Sequence, residues 1–138
     1  MKQLLSVLLL VAFATFGITK AFAATETAAV TTPYGYGEDK VQKITWSGMN
    51  GGDSGSAVKV ANWTKKAVAF TGTWNSASAT LQGSNDGTNY YVLTNEQGVA
   101  VSATANSMQT VGTNPLYIKP VMTGATSGSI VIDLILAK

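Results

Sequence analysis

The sequence contains no cysteine, no histidine and no arginine, and these three absences exclude much of the usual protein chemistry. Without cysteine there is no disulfide, no thiolate nucleophile and no zinc site that relies on sulfur. Without histidine, a serine nucleophile lacks its usual general base. Without arginine, the chain lacks the side chain that binds phosphate and guanine bidentately, so we expect no nucleic-acid partner. The domain must therefore be held together by burial of apolar side chains alone.

The first 23 residues predict a secretory signal peptide. Lys2 precedes an apolar run over residues 4–18, and Ala21 and Ala23 then give the small-residue pattern of a cleavage site. The run is shorter than the roughly 20 apolar residues of a membrane-spanning helix, so we expect no stable membrane anchor after cleavage. We expect cleavage after Ala23 and export to the periplasm or the extracellular space. If the segment is retained, the alternative location is a virus particle.

Loss of this segment would also remove the net positive charge. Without Lys2 and Lys20, seven of the nine lysines remain and balance seven acidic residues, so the net charge falls from +2 to zero. A neutral surface built from Ser, Thr, Asn and Gln has little electrostatic repulsion between copies. Such a surface suits packing against neighbours.

The remaining residues predict an all-β domain with an extended N-terminal arm. Residues 24–39 are rich in Ala, Thr, Gly and Tyr and show no lasting period, so we interpret them as the arm. Residues 40–138 carry short strand signals separated by turn residues, which predict a single antiparallel, jelly-roll-like β-sandwich of about eight strands. The predicted strands cover residues 41–49, 56–61, 66–74, 79–84, 90–94, 107–111, 116–122 and 129–136.

Two predicted strands show which side chains form the core. In the last strand, Ile130, Ile132, Leu134 and Leu136 alternate with residues of the opposite face, so we expect one face to be buried and the other partly exposed. In the third strand the buried face includes Phe70, the only phenylalanine that follows residue 23. Turn-forming residues at 50–55, 84–87, 95–98 and 123–128 separate the strands, and the Ser-Asn-Asp-Gly of 84–87 predicts a hairpin.

Enzyme and metal motifs are weak in this sequence, and we predict no catalytic residues, no cofactor and no metal. Gly-Asp-Ser-Gly at 52–55 resembles the nucleophile loop of trypsin-like proteases, but the chain has no histidine to serve it. A serine–lysine pair at Ser54 is the alternative, and a glycine-rich turn explains the same residues. Calcium binding by Asp53, Asn85 and Asp86 needs neither histidine nor cysteine, but their spacing matches no defined calcium loop.

Aromatic side chains are the candidates for contact with a partner or ligand. We select Tyr34 and Tyr36 in the arm, together with Trp63 and Tyr90. Trp63 lies between two predicted strands, either as an exposed platform that stacks on a sugar or as a plug at the end of the sandwich. Tyr90 and Tyr91 are adjacent, so only one of them can point into the core.

The segment ATLQGSNDGTNYYVL at 79–93, followed by NPLYIKPV at 114–121, resembles a pattern in small β-sandwich structural proteins of tailed bacteriophages, which decorate capsids or belong to tails and fibres. A related pattern occurs in discoidin-like, galactose-binding modules, but Leu116 stands where those modules usually have arginine. The resemblance implies a β-sandwich fold and, more loosely, a place in an assembly.

Two functions of different classes follow. The first is a non-enzymatic structural protein whose sandwich and arm pack into a larger assembly, as a homo-oligomer or with other assembly proteins. The second is an exported carbohydrate-binding or adhesin module with a glycan as ligand. Recovery in stoichiometric copies with particles or filaments would favour the first, and binding of a soluble monomer to glycans the second.

Overall fold

The computed structural model describes residues 24–31 and 40–138, and within these ranges the chain is all β. The segment 1–23 and the arm residues 32–39 lie outside the described residues. The strands are β1 (Thr25–Glu26), β2 (Ala29–Thr31), β3 (Val41–Met49), β4 (Ser54–Gly55), β5 (Val58–Lys59), β6 (Lys65–Thr73), β7 (Ser78–Ser84), β8 (Tyr91–Val92), β9 (Ser102–Ala103), β10 (Ser107–Thr110), β11 (Tyr117–Thr123) and β12 (Ser129–Ala137).

The strands form two sheets that pack face to face as a β-sandwich. The five-stranded sheet has the order β10-β6-β12-β3-β2. The seven-stranded sheet has the order β1-β4-β11-β7-β8, with β5 paired to β11 and β9 paired to β7. Every pairing is antiparallel except that of β1 with β4, which is parallel. The predicted fold class is confirmed, and the strand pairing is jelly-roll-like.

No stretch of helix among these residues combines the length and the hydropathy that crossing a membrane requires.

The core lies between the two sheets and follows the predicted alternation. On β12, Ile130, Ile132, Leu134 and Leu136 are all fully buried, which confirms the face assigned from the sequence. Phe70 on β6 lies opposite Ile132 and is also fully buried. The seven-stranded sheet contributes side chains of β7 and β11, so that alternate residues of both sheets fill one interior. Its largest buried side chains are Leu81, Ile118 and Met122.

The indole of Trp46 fills the core beside β4, where a glycine is required. Its Nε1–H donates a hydrogen bond to the carbonyl oxygen of Ser56 at 3.0 Å, so the one polar atom of the buried ring has a partner. A Cβ at Gly55 would lie 2.7 Å from this ring and 2.6 Å from Pro120. The contact of the β4 backbone with the ring therefore leaves no room for a side chain.

Several predicted strand boundaries were wrong in segments that pair with a neighbouring strand over only one or two residues. The strand predicted over 56–61 is reduced to β5, and β4 lies in the segment predicted as a turn. The strand predicted over 90–94 is reduced to β8 with an isolated bridge between Thr94 and Ala100. The strand β9 was missed. These segments pair with β7 or β11 for only one or two residues, so tertiary contacts and not a regular alternation determine their extent.

The described part of the predicted arm pairs with the sandwich of its own chain. We call residues 24–31 the N-terminal strap. Its first half, β1, runs parallel to β4 at the edge of the seven-stranded sheet, and its second half, β2, pairs with β3 at the edge of the five-stranded sheet. The strap is extended, as predicted for the arm, and it covers one edge of each sheet. Contact of the arm with a neighbouring subunit stays a prediction.

We predict that Phe70→Ala lowers the free energy of unfolding by about 3–5 kcal/mol, because it removes a fully buried ring and leaves a cavity. Urea unfolding followed by tryptophan fluorescence measures the change. Thr71→Ala, at the exposed neighbouring position, serves as the control and should change stability by no more than about 0.5 kcal/mol. Equal stabilities of the two variants would contradict the register of β6.

Candidate functional site

A cleft of about 480 Å³ opens at the end of the sandwich where β7 leads into β8. The loop before β11 forms its other wall, which Thr113, Asn114 and Pro115 line. Most of the polar groups in the cleft are amides or carboxylates, and one aromatic ring, that of Tyr91, stands among them. The residues on the β7–β8 side are Gly83, Ser84, Asn85, Asp86, Asn89, Tyr91, Val92 and Leu93.

The loop from Ser84 to Asn89 is fixed by hydrogen bonds to the carboxylate of Asp86. Its Oδ1 accepts from the backbone N–H of Asn89 at 2.7 Å, from that of Thr88 at 2.8 Å and from the hydroxyl of Ser84 at 2.8 Å, and its Oδ2 accepts from Asn89 Nδ2 at 2.7 Å. The hydrogen bonds from the backbone of Asn89 and Thr88, followed by those from the side chains, hold the pKa of Asp86 well below its usual range. Gly87 has a φ of +76°, so the turn needs glycine at this position.

Two asparagine side chains at the cleft are anchored through their oxygen atoms. Asn85 Oδ1 accepts a hydrogen bond from the backbone N–H of Leu116 at 3.2 Å, and Asn114 Oδ1 accepts one from Lys66 Nζ at 2.7 Å. Within the described part of the chain, neither Nδ2 group donates a hydrogen bond at the cleft. The two amides therefore offer fixed hydrogen-bond donors to a polar ligand.

Of the adjacent tyrosines, Tyr91 is the exposed one. Its side chain is 73% exposed at the cleft, whereas Tyr90 is half-buried with the ammonium of Lys119 4.2 Å from the centre of its ring. This cation–π contact occupies one face of the Tyr90 ring. Neither tyrosine belongs to the buried core, and the ring available for stacking is Tyr91 and not the selected Tyr90.

Trp63 is half-buried and packs against the hydrophobic core. This position agrees with the plug at the end of the sandwich and not with an exposed platform. Tyr34 and Tyr36 lie outside the described residues. Neither Trp63 nor Tyr90 lines the cleft, and the contact of all four selected aromatic residues with a partner or ligand stays a prediction. The signal for Tyr91 was present in the sequence, since one tyrosine of the pair had to face outward.

Lys66 is the buried charged residue behind the cleft, with only 5% of its surface exposed. Its Nζ donates to the carbonyl oxygen of Trp63 and to Asn114 Oδ1, both at 2.7 Å, and makes no ion pair with a described acidic residue. Burial lowers the pKa of Lys66 from 10.5. Lys66 therefore connects the Trp63 plug to the loop that forms one wall of the cleft, and sequence analysis did not assign it this role.

A second surface of interest is the outward-facing side of the five-stranded sheet, which we call the apolar outer face. Its central charges, Lys43 and Asp133, form an ion pair at 2.8 Å, and Thr45 donates a hydrogen bond to the same carboxylate at 2.6 Å. Met108 on the edge strand β10 is 78% exposed. The alternation of β12 indicated two of the apolar residues, but only strand pairing places all of them on one surface: Ala67, Ala69, Met108, Val131, Ile135 and Ala137.

The opposite outer face, on the seven-stranded sheet, is polar. In register across β7 and β11, Gln82 pairs with Lys119, Thr80 with Val121 and Ser78 with Thr123. The two outer faces therefore differ in chemistry although they belong to one small sandwich. A partner that buries apolar surface would select the five-stranded side.

The residues weighed for calcium binding are not brought together. Asp53 lies beside the end of β11 at Met122, whereas Asn85 contacts Leu116 at the other end of that strand, next to Asp86. In the described ranges, no three acidic, histidine or cysteine side chains come close enough to hold a metal ion. Ser54, the serine of the protease-like motif, lies in β4 and donates its backbone N–H to Ala24. The expectation that the chain is not an enzyme stays a prediction.

No protein-family model matches the chain, and no curated protein matches it. Among solved structures, a cupin domain from Bordetella pertussis Tohama I aligns with 81% of this chain and 95% of its own length, with 12% sequence identity and a TM-score of 0.37. That similarity is too low to indicate a shared fold or function. The resemblance to bacteriophage structural proteins and discoidin-like modules therefore stays a prediction, and the β-sandwich rests on the strand pairing of this chain.

We predict that the stability difference between the wild type and Lys66→Met depends on pH. Between the lowered pKa of folded Lys66 and 10.5, the unfolded chain binds more protons than the folded chain, so the free energy of unfolding rises with pH. The cost of burying the ammonium is fully present at lower pH. Urea unfolding of both proteins from neutral pH to 10.5 should show the difference moving in favour of the wild type. A difference that stays constant would contradict the burial of the charged group.

Proposed function

We propose that this protein is a non-enzymatic structural component that packs against copies of itself in a larger assembly. The observation that carries the proposal is the apolar outer face. Exposed sheet faces of a monomer normally alternate core side chains with polar ones, as the seven-stranded sheet does here. The five-stranded sheet instead places alanines, valine, isoleucine and methionine next to one another on its outer face, among outward threonines and the charged side chains of Lys43, Lys65 and Asp133.

The charge distribution favours a second copy as the occupant of this face. Lys43 and Asp133 neutralise each other at its centre, which leaves Lys65, at the end of β6, as the charge on this face with no ion pair among the described residues. Residues 24–138 carry equal numbers of lysines and acidic residues, which also removes long-range repulsion between copies.

The shape of the face gives a further reason. A hollow of about 350 Å³ lies at its edge, where the apolar side chains of Ala67, Val111, Ile135 and Ala137 meet polar and charged ones, Lys65 and Glu96 among them. Met108 projects from the same face. A flexible, unbranched methionine side chain is suited to pack against the apolar part of such a hollow on a neighbouring copy. Packing of this kind would bury the exposed methionine and the hollow in one step.

We predict that Ile135→Lys or Met108→Lys weakens self-association at least about tenfold, because each variant places an unpaired charge in an apolar contact. Sedimentation velocity over a range of protein concentrations measures the association. Gln82→Lys, on the polar outer face, is the matched control and should associate like the wild type. Circular dichroism checks that all three variants are folded. Unchanged association of both apolar-face variants, or a wild-type protein that stays monomeric, would refute the proposal.

A second candidate function is glycan binding at the cleft, which the exposed Tyr91 ring favours. Ligand sites combine aromatic surface with a few fixed polar groups, and Tyr91 stands beside the anchored amides of Asn85 and Asn114. The carboxylate Oδ2 of Asp86 accepts one hydrogen bond within the loop and retains capacity to accept from a hydroxyl group. This function and the first use different surfaces of the sandwich.

We predict that, if the chain binds glycans, Tyr91→Ala weakens binding at least about tenfold while Tyr91→Phe retains most of it, because stacking needs the ring and not the hydroxyl. A glycan array identifies the ligand, and calorimetry on the best hit measures the affinities. Equal binding by the alanine variant, or no glycan bound by the wild type, would remove this candidate and leave the structural proposal untouched.

A further inference from the structure

The backbone nitrogen of Ala24, the first residue of the N-terminal strap, lies against a buried carboxylate. Its N–H donates a hydrogen bond to Asp53 Oδ1 at 2.9 Å. Asp53 is only 6% exposed, and its other oxygen, Oδ2, accepts from the backbone N–H of Asn50 at 2.7 Å. Both recorded donors to this carboxylate are therefore neutral amides. An ammonium group in the position of one of these amides would add a charge–charge attraction, which solvent screens less at a partly buried site than at the open surface.

The position of Ala24 is fixed by the parallel pairing of β1 with β4. Its carbonyl oxygen accepts from Ser54 N–H at 2.9 Å, and that of Glu26 accepts from Ser56 N–H at 2.7 Å. Further along the strap, Ala28 N–H donates to Ser56 Oγ at 2.9 Å. These hydrogen bonds continue along the strap from the Ala24–Asp53 contact to Ala28. The nitrogen of Ala24 is thus held at the carboxylate by the backbone of the sheet edge.

The sequence independently predicts that the peptide bond before this nitrogen is cleaved. The small-residue pattern that ends at Ala23 predicts that a signal peptidase cuts between Ala23 and Ala24. Such a cut converts the peptide N–H of Ala24 into an α-ammonium group at the same place. Nothing in the cleavage pattern required the new terminus to meet a buried acid, so the two observations support each other.

We infer that cleavage after Ala23 creates a partly buried ion pair between the α-ammonium group of Ala24 and Asp53, and that this pair holds the N-terminal strap on the sandwich. Cleavage is hydrolysis of the 23–24 peptide bond, with water supplying the hydroxyl to Ala23 and the hydrogen to Ala24. Maturation would thus stabilise the edges of both sheets, which the strap covers. The inference does not depend on what the protein assembles with.

Few other charges act on this group. On the strap itself the charged residue is Glu26, which is half-buried, and in the turn before β4 it is Asp53. On β11, which packs beside β4, the charged residue is Lys119, and its ammonium lies over the Tyr90 ring. On β3, which also packs against β1, the charged residue is Lys43, and it is paired with Asp133. The charged side chains nearest to the new ammonium group on its own strap and turn are therefore acidic. Both carboxylates favour its charged form.

The test compares the chain that begins at Ala24 with a chain that keeps Ala23 and the residues before it. An unpaired α-amino group has a pKa of about 7.7–8.0. Pairing with Asp53 should raise this pKa by about one unit or more, which lowers the acid dissociation constant at least tenfold. NMR of protein labelled with ¹³C-alanine measures this titration at Ala24. The stabilising contribution should be complete below the unfolded-state pKa and be lost as pH rises through the folded-state pKa.

Two controls keep the inference falsifiable. Asp53→Asn in the chain that begins at Ala24 should return the Ala24 pKa to its ordinary range and abolish the pH dependence. The chain that keeps Ala23 retains Asp53 but moves the amino group away, so it gives the second test even if Asp53→Asn folds poorly. An ordinary pKa in the wild type, the same pH dependence in the two chains, or mass spectrometry of native material that starts elsewhere than Ala24 would overturn the inference.

Discussion

The pairing of β12 between β3 and β6 is the interaction on which the rest of the structure depends. Its inward side chains are fully buried, and each of its neighbours supplies a further aromatic ring to the same interior, Trp46 from β3 and Phe70 from β6. Because the chain has no cysteine, no covalent bridge can replace this burial. Each outward-facing residue of β12 is thereby fixed as well, since a strand that turns one face inward presents the other face outside.

That constraint explains why the two outer faces acquire different roles. In the five-stranded sheet, the register set by β12 places small apolar residues next to one another and pairs Lys43 with Asp133. In the seven-stranded sheet, the long strands are β7 and β11, whose outward residues are polar. The cleft lies at the end of these two strands, in loops that the core holds in place but does not itself fill. Assembly and ligand binding, as proposed here, would therefore not compete for the same residues.

The long strands could be predicted from the sequence because alternation over seven to nine residues is a strong signal. The bounds of β3 were predicted without error, and those of β6, β7 and β12 to within one residue. The short strands β4, β5, β8 and β9 could not, since a segment of two residues carries no period and is defined by the partner it meets. The candidate site was predicted less well. Tyr90 and Tyr91 were recognised as a pair of which only one could point into the core, but the sequence does not show that Tyr91 is the more exposed ring or that Lys119 lies over Tyr90.

The place of β12 in the sheet has a consequence for how the polypeptide reaches its native state. It is the last strand in the sequence and yet occupies the middle of the five-stranded sheet, with most of its partners far back along the chain. Until β12 arrives, β3 and β6 have no common neighbour, and their apolar sides cannot be enclosed. Most strand pairings therefore join residues that are far apart in the sequence, and domains with such pairings fold slowly. The five-stranded sheet therefore cannot close until synthesis has passed Ala137.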